Sequence, residues 1–155
     1  MSSVTPASEA LDRLHIPYRI FEHSRPVQSL EDAAAQRGQQ PEQVVRSIVF
    51  RCCDDQFIMV LMAGPRQISW KSVRAALGVS RMTMATEAEV LQQTGFVRGA
   101  VTPLGLPGPM RILADESVFQ SEEISLGSGV RGVAIILLSS DLKKALGNVV
   151  IGPFA

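Results

Sequence analysis

The sequence predicts an α+β domain built on a strongly curved, mostly antiparallel sheet of six or seven strands with about five helices. Two observations lead to this prediction. Apolar runs of strand length follow one another across short turns, as in hairpins, and do not alternate regularly with helices. Segments with helical spacing begin at Ser or Thr and end at Gly, which are common helix boundaries.

The clearest hairpin joins residues 43–51 to residues 56–64 through a turn at Asp54 and Asp55. The second run is apolar on both faces, so we expect it in the middle of the sheet. The other predicted strands cover residues 18–22, 79–84, 110–114, 121–126 and 131–137. Residues 148–151 are a further candidate for a short edge strand, outside the count of six or seven.

Five helices are predicted from their spacing and their boundary residues. Ser29 and Gly38 bound the second helix, Thr86 and Gly95 bound the fourth, and Ser139 or Ser140 caps the last. The helices cover residues 5–14, 30–37, 69–77, 87–93 and 141–146.

Composition limits the classes of function. With 155 residues, of which 46% are hydrophobic and 19% charged, the chain predicts a single domain over residues 1–155 with a sizeable core. Fifteen basic and fifteen acidic residues give no net charge, so a polyanion needs a local basic patch. No signal peptide or apolar run of membrane-spanning length is present, and we expect a cytoplasmic protein with neither membrane nor DNA as a partner.

Neither a metal nor another cofactor is expected. Cys52 and Cys53 are adjacent, which strains a disulfide, so both are predicted to be reduced thiols on opposite faces of a strand. The two histidines, His15 and His23, have no acidic or thiol partner at ligand spacing.

The most unusual stretch is residues 95–115, GFVRGAVTPLGLPGPMRILAD, with four glycines and three prolines. Such a mixture predicts a rigid loop of defined shape, followed by a strand that ends on Asp115. Spacing alone favours a structural connection between strands.

Within this stretch, GAVTPLG at residues 99–105 resembles the glycine loop of the YbaK-like family. That family includes the editing domain of bacterial prolyl-tRNA synthetases and free-standing aminoacyl-tRNA deacylases. Further segments match in the family's order, and the resemblance runs from about residue 8 to residue 149. These further matching segments are VVRSIVF at 44–50, ILADES at 112–117, GSGVRGVAI at 127–135 and LSSDL at 138–142. The resemblance implies a mixed, barrel-like sheet with helices around it.

Arg46 stands where the family pattern V-V-K-[TS]-L has its catalytic lysine. Arginine keeps the positive charge and can bind a phosphate or carboxyl oxygen, but it cannot accept a proton. The resemblance therefore implies a pocket role for Arg46. The residues alone also allow a solvent-facing arginine or a buried salt bridge with Asp115.

The resemblance also implies that residues 99–102 stabilise an oxyanion through backbone N–H groups. Gly99 and Ala100 take the family's catalytic loop role, with Ala100 adding a methyl where glycine is common. Val101 and Thr102 join them as substrate-binding positions. Asp115 is a further predicted substrate-binding position that supports the pocket, either by pairing with Arg46 or by positioning the amino group of the substrate. The alternative is that Asp115 caps the next turn.

The last predicted substrate-binding positions are Gly127, Ser128 and Gly129, which resemble the family's S-x-G loop. The serine is offset by one position, so backbone donors are expected there rather than a transferred serine role.

The resemblance implies a free-standing aminoacyl-tRNA deacylase that hydrolyses mischarged tRNA, with an aminoacyl-tRNA synthetase as a second candidate partner. One alternative is a catalytically impaired binding module for an aminoacyl group or a small carboxylate. Another is a protein that caps a synthetase or tRNA complex without chemistry.

Overall fold

The computed structural model describes residues 4–52 and 55–155, and it confirms the α+β class. Five α-helices are present in this part of the chain, as expected, together with eight β-strands, where six or seven were expected. In chain order they are α1 (Pro6–Arg13), β1 (Arg19–Glu22), α2 (Leu30–Arg37), β2 (Val45–Cys52), β3 (Phe57–Ala63), α3 (Trp70–Leu77), β4 (Met82–Met84), α4 (Glu87–Thr94), β5 (Arg111–Asp115), β6 (Glu123–Gly127), β7 (Val133–Leu138), α5 (Ser139–Leu146) and β8 (Val150–Gly152).

The strands form two sheets rather than one barrel-like sheet. A five-stranded sheet has the order β4-β2-β3-β5-β8, and a three-stranded sheet has the order β1-β7-β6. The sheets meet at a single parallel bridge between Val44 and Ser125. Past this bridge β2 does not continue along β6 and pairs with β4 only from residue 50, so hydrogen bonding between the sheets stops and no barrel closes.

β3 lies at the centre of the larger sheet, as its apolar faces predicted. It pairs antiparallel with β2 and parallel with β5. β5 also pairs in parallel with the edge strand β8, while the other named pairs are antiparallel. The sheets are therefore mixed and mostly antiparallel, as expected.

Alternation along β2 divides the core into two clusters. Val45 and Val49 face the space between the sheets, where they join residues of β6, β7, α1 and α5. Phe50 belongs to the second cluster, on the face covered by α3 and Phe154. Burying apolar side chains on both faces stabilises the larger sheet by about 25 cal/mol per Å² removed from water.

Most helix boundaries follow from local chemistry. Ser29 caps α2 by accepting from the Asp32 N–H, and Gly38 ends α2 in the left-handed conformation. The expected cap of α5 is wrong: Leu138 occupies the cap position, and the Ser139 hydroxyl donates to the Ser121 carbonyl oxygen at 2.7 Å.

Two expectations fall partly outside the described residues. The turn includes Asp54, and the thiol pair includes Cys53, neither of which is described; Cys52 is buried in β2. Among the described helices, none is both long and apolar enough to cross a membrane.

Candidate functional site

The candidate site lies where the two sheets diverge. The Val44–Ser125 bridge puts Arg46 and Gly127, each two residues further on, at corresponding positions just past the bridge. Further along β2, the Ala85 N–H donates to the Val49 carbonyl oxygen at 3.1 Å, and pairing with β4 begins only at residue 50. The edge of β2 near residue 47 is therefore open.

The glycine loop at residues 99–102 is fixed by its own hydrogen bonds. The Ala100 N–H donates to the Val97 carbonyl oxygen at 3.0 Å, and the Thr102 hydroxyl oxygen accepts from the Leu104 N–H at 3.2 Å. Ala100 and Thr102 are fully buried. Gly99 has a φ of 86°, a left-handed conformation that favours glycine.

A second glycine turn, at residues 127–129, holds this loop in place. The Gly129 N–H donates to the Ala100 carbonyl oxygen at 2.8 Å. A Cβ added at Gly127 would overlap the Val101 carbonyl oxygen, so only glycine allows this approach. The two glycine segments are therefore in direct contact.

The Ser128 side chain is committed to the turn itself. Its hydroxyl is buried, donates to the Val133 carbonyl oxygen at 2.7 Å and accepts from the Val130 N–H at 3.1 Å. The Ser128 carbonyl oxygen accepts from the Ala7 N–H at 3.0 Å. These bonds place Ser128 in a structural role at the wall of the site.

Backbone donors remain available in the glycine loop. Within the described part of the chain, the N–H groups of Gly99, Val101 and Thr102 have no hydrogen-bond acceptor, whereas that of Ala100 is bonded. N–H groups on a rigid loop are suited to an oxygen atom that gains negative charge.

Arg46 lies on the face of β2 opposite to Val45 and Val49. Its Nε donates to the Gly64 carbonyl oxygen at 3.0 Å, and its Nη2 donates to the Arg66 carbonyl oxygen. Partial burial lowers the pKa of the Arg46 guanidinium, which still leaves it charged at neutral pH because arginine starts far above that range.

An open groove of about 360 Å³ lies beside Arg46. Apolar and aromatic side chains make up most of its lining, with one amide. They are Ile48, Phe50, Gln67, Ile68, Trp70 and Met84. No sequence pattern reveals this groove, because its walls come from β2, β4, α3 and the loop that precedes α3.

Asp115 does not pair with Arg46. Its side chain, in a residue only 1% exposed, accepts from the Ser117 N–H at 3.0 Å and from the Phe154 N–H at 2.7 Å. Asp115 thus caps the 3-10 turn Glu116–Phe119 and anchors the C-terminal segment, which is the capping alternative.

Ser47 was not among the predicted site residues. Its hydroxyl oxygen is buried and has no hydrogen-bond partner in the described part of the chain. Ser47 sits on the open edge of β2, beside Arg46. The signal in the sequence was a hydroxyl side chain that shares one face of an apolar strand with Val45 and Val49.

No metal centre is found among the described residues, since no group of three or more His, Cys, Asp or Glu is suitably placed. His23 has other partners: Nδ1 contacts Gln36 Oε1 at 2.7 Å, and Nε2 accepts from Arg37 Nε at 3.1 Å. His15 lies in a left-handed turn with a φ of 57°.

The fold and the site define an α+β domain in which two glycine turns contact each other and an open groove lies beside Arg46. The sequence profile of the aminoacyl-tRNA editing domain matches residues 24–145, which is more than half of the chain. The chain therefore belongs to the aminoacyl-tRNA editing domain family.

Its relatives include both long and short proteins. The proline–tRNA ligase of Bacillus subtilis (strain 168) is 29% identical over 110 residues, which is 71% of this chain but 18% of the ligase. The chain thus spans less than a fifth of that relative. The uncharacterised protein YwhH of the same organism is 31% identical over 116 residues, covering 75% of this chain and 73% of YwhH.

A solved structure shares the whole fold. It is a crystal structure described as a candidate trans-editing enzyme for prolyl-tRNA synthetase, with 23% identity and a TM-score of 0.86. The match covers 99% of this chain and 98% of that one. At this identity the likeness establishes the fold alone.

Proposed function

We propose that this chain is a free-standing deacylase that hydrolyses the ester between a wrongly attached amino acid and the 3′ end of tRNA. The observation that carries the proposal is the set of unused N–H groups of Gly99, Val101 and Thr102, in a loop that the second glycine turn holds in place. Membership of the editing-domain family supplies the substrate class.

The proposed chemistry is addition of water to the ester. A water oxygen attacks the carbonyl carbon, the carbonyl oxygen becomes an oxyanion, and the acyl C–O bond then breaks. The ribose oxygen takes up a proton as it leaves. The N–H groups of Gly99, Val101 and Thr102 stabilise the oxyanion, and one such donor is typically worth about 10²–10³ in rate.

Arg46 has a holding role in this proposal. A guanidinium cannot serve as a proton acceptor at neutral pH, so the proton transfers involve water and the terminal ribose hydroxyl of the tRNA. The Arg46 guanidinium has N–H groups beyond those bonded to Gly64 and Arg66, and these can bind a phosphate oxygen.

A deacylation panel tests this proposal. The purified protein is mixed with tRNAs charged with alanine, cysteine, serine, threonine or proline, next to Arg46→Ala and a buffer blank. Arg51→Ala is the matched control, because Arg51 lies on the same strand with exposed ion pairs to Asp55 and Glu89. We expect hydrolysis of one or a few of these esters, lost in Arg46→Ala and kept in Arg51→Ala. No hydrolysis of any ester, or an unchanged rate in Arg46→Ala, refutes the proposed role.

The second candidate function is a binding module without hydrolysis. The observation that favours it is that two carbonyl oxygens already bind the Arg46 guanidinium, so the charge at the family's lysine position is partly engaged. Arg46→Lys separates the two functions. If Arg46→Lys hydrolyses the esters much faster than the unaltered protein does, the unaltered protein is a catalytically impaired enzyme. If Arg46→Lys is slower, arginine is the residue that supports hydrolysis.

A further inference from the structure

In one continuous stretch of this neutral chain, every charged residue is basic. Residues 56–86 contain Arg66, Lys71, Arg74 and Arg81 and no Asp or Glu, although the whole chain has fifteen residues of each sign. This stretch forms β3, α3 and β4 and the loops between them. This segment therefore carries net positive charge in a chain that is neutral as a whole.

These four basic side chains make no ion pair within the described residues, whereas several other arginines do. Arg19, Arg25, Arg51 and Arg98 each have a carboxylate partner within 3.5 Å. Arg66, Lys71 and Arg81 are also exposed. Their charge is thus available to a partner that carries negative charge.

The groove beside Arg46 borders this basic stretch. The rings of Phe50 and Trp70 meet edge to face with centroids 5.1 Å apart, which holds the Trp70 ring in position. Trp70 is 36% exposed and Met84 is 55% exposed, so both present apolar surface to solvent. Arg46 and Gln67 are the polar side chains of the lining.

We propose that this face, formed by the groove and its basic rim, binds the unpaired 3′ end of tRNA. One base stacks against Trp70 and Met84, while Arg46, Arg66 and Lys71 contact the phosphates. The inference rests on the proposed function, since it assigns a surface to the same substrate. Arg46 belongs both to the groove and to the proposed site, so an end bound in the groove lies next to that residue.

The chemistry of the face favours a nucleic acid over a protein. Aromatic side chains with unpaired cations are the usual means of holding a single strand, because every base has a π-face and every linkage carries a phosphate. Protein interfaces are also enriched in aromatic residues, methionine and arginine, but they are depleted in lysine, so the unpaired cations that include Lys71 are the distinguishing feature here. A groove with no carboxylate in its lining fits the first pattern.

The chain contains its own reporter, because Trp70 is its only tryptophan. Uncharged tRNA is titrated into the protein while tryptophan emission is recorded, and the titration is repeated with tRNA lacking its unpaired 3′ nucleotides. We expect saturable quenching with intact tRNA and roughly tenfold weaker binding with the truncated tRNA. Equal affinity for the two tRNAs, or binding that leaves the emission unchanged, overturns the proposal.

Variants test the face independently of the fluorescence. Trp70→Leu is expected to weaken tRNA binding in a filter assay about tenfold, with Leu138→Ala as the control for an exposed apolar residue elsewhere. Lys71→Gln is expected to lower the salt slope of log K by about 1, whereas Lys143→Gln on α5 leaves that slope unchanged. Circular dichroism and melting temperature establish that each variant is folded. The proposal is overturned if a variant and its control weaken tRNA binding equally. It is also overturned if Trp70→Leu weakens binding of a synthetase and leaves tRNA binding unchanged.

Binding of uncharged tRNA involves no ester, so the two proposals fail separately. Quenching by tRNA without deacylation refutes only the hydrolytic function. Deacylation that Trp70→Leu leaves unchanged refutes only the proposed face.

Discussion

Replacing Gly127 with alanine tests whether the second glycine turn positions the glycine loop. A Cβ at this position lies 3.1 Å from the Val101 carbonyl carbon and 3.2 Å from the Ala100 carbonyl carbon, and it overlaps the Val101 carbonyl oxygen. Comfortable carbon–carbon contacts need about 3.5–4.0 Å, so the loop must retreat by at least about half an ångström. The obstacle is backbone, which cannot turn aside as a flexible side chain can.

Two losses are expected from this retreat. Overpacking costs about 1–3 kcal/mol of unfolding free energy, which lowers the melting temperature by roughly 2–4 °C for each kcal/mol in a chain of this size. Since the N–H groups of residues 99–102 move away from the ester, we expect deacylation to fall about ten- to hundredfold. Single-turnover rates on the best substrate of the panel, at a temperature well below unfolding, measure the second loss by itself.

Gly108→Ala is the matched control. Gly108 lies in the same glycine–proline stretch, has no left-handed φ, and has no atom within 4 Å of an added Cβ. It should melt and react like the unaltered protein. The reasoning is refuted if Gly127→Ala keeps both its rate and its melting temperature, or if Gly108→Ala loses as much.

Two further predictions concern carboxylates. Asp115→Asn places an amide NH₂ against one of the two backbone N–H groups, those of Ser117 and Phe154, that the carboxylate now accepts from. We expect the free energy of unfolding to fall by about 1–3 kcal/mol, with the deacylation rate unchanged at low temperature. A slower reaction at an unchanged melting temperature would instead assign Asp115 to the substrate. Because the Thr86 backbone N–H lowers the pKa of Glu89, the folded carboxyl titrates below its unfolded value. Its stabilising effect is therefore present above the ordinary pKa of 4.5 and is lost as pH falls through the folded pKa, so urea unfolding should show a weaker acid dependence in Glu89→Gln. Parallel pH profiles for the two proteins would contradict this.

Elements with local causes were predictable from the sequence. Ser29 and Gly38 set the ends of α2, because a cap needs only a side-chain oxygen or a left-handed residue within one turn. The central position of β3 followed from its apolar character on both faces. The predicted cap at Ser139 is wrong because the Ser139 hydroxyl donates instead to the carbonyl oxygen of Ser121, which is distant in sequence.

The candidate site was only partly predictable. The resemblance selected residues 99–102 and 127–129, and the structure brings them into contact through the Gly129–Ala100 hydrogen bond. The resemblance could not show that Arg46 binds backbone carbonyl groups or that Asp115 caps a turn. The partner of a charged side chain is decided by whichever groups packing brings within about 3 Å, and sequence spacing does not encode that distance.

By itself, the sequence determined the α+β class, the alternation of β2, the family and the basic stretch at 56–86, all of which depend on the order and kind of residues. Only the tertiary structure decided that the sheet divides at Val44 and Ser125, and that Trp70 and Met84 share a groove with Arg46. Strand pairing and groove walls join residues far apart in the chain. Their geometry is fixed by how the sheets pack, which no local pattern specifies.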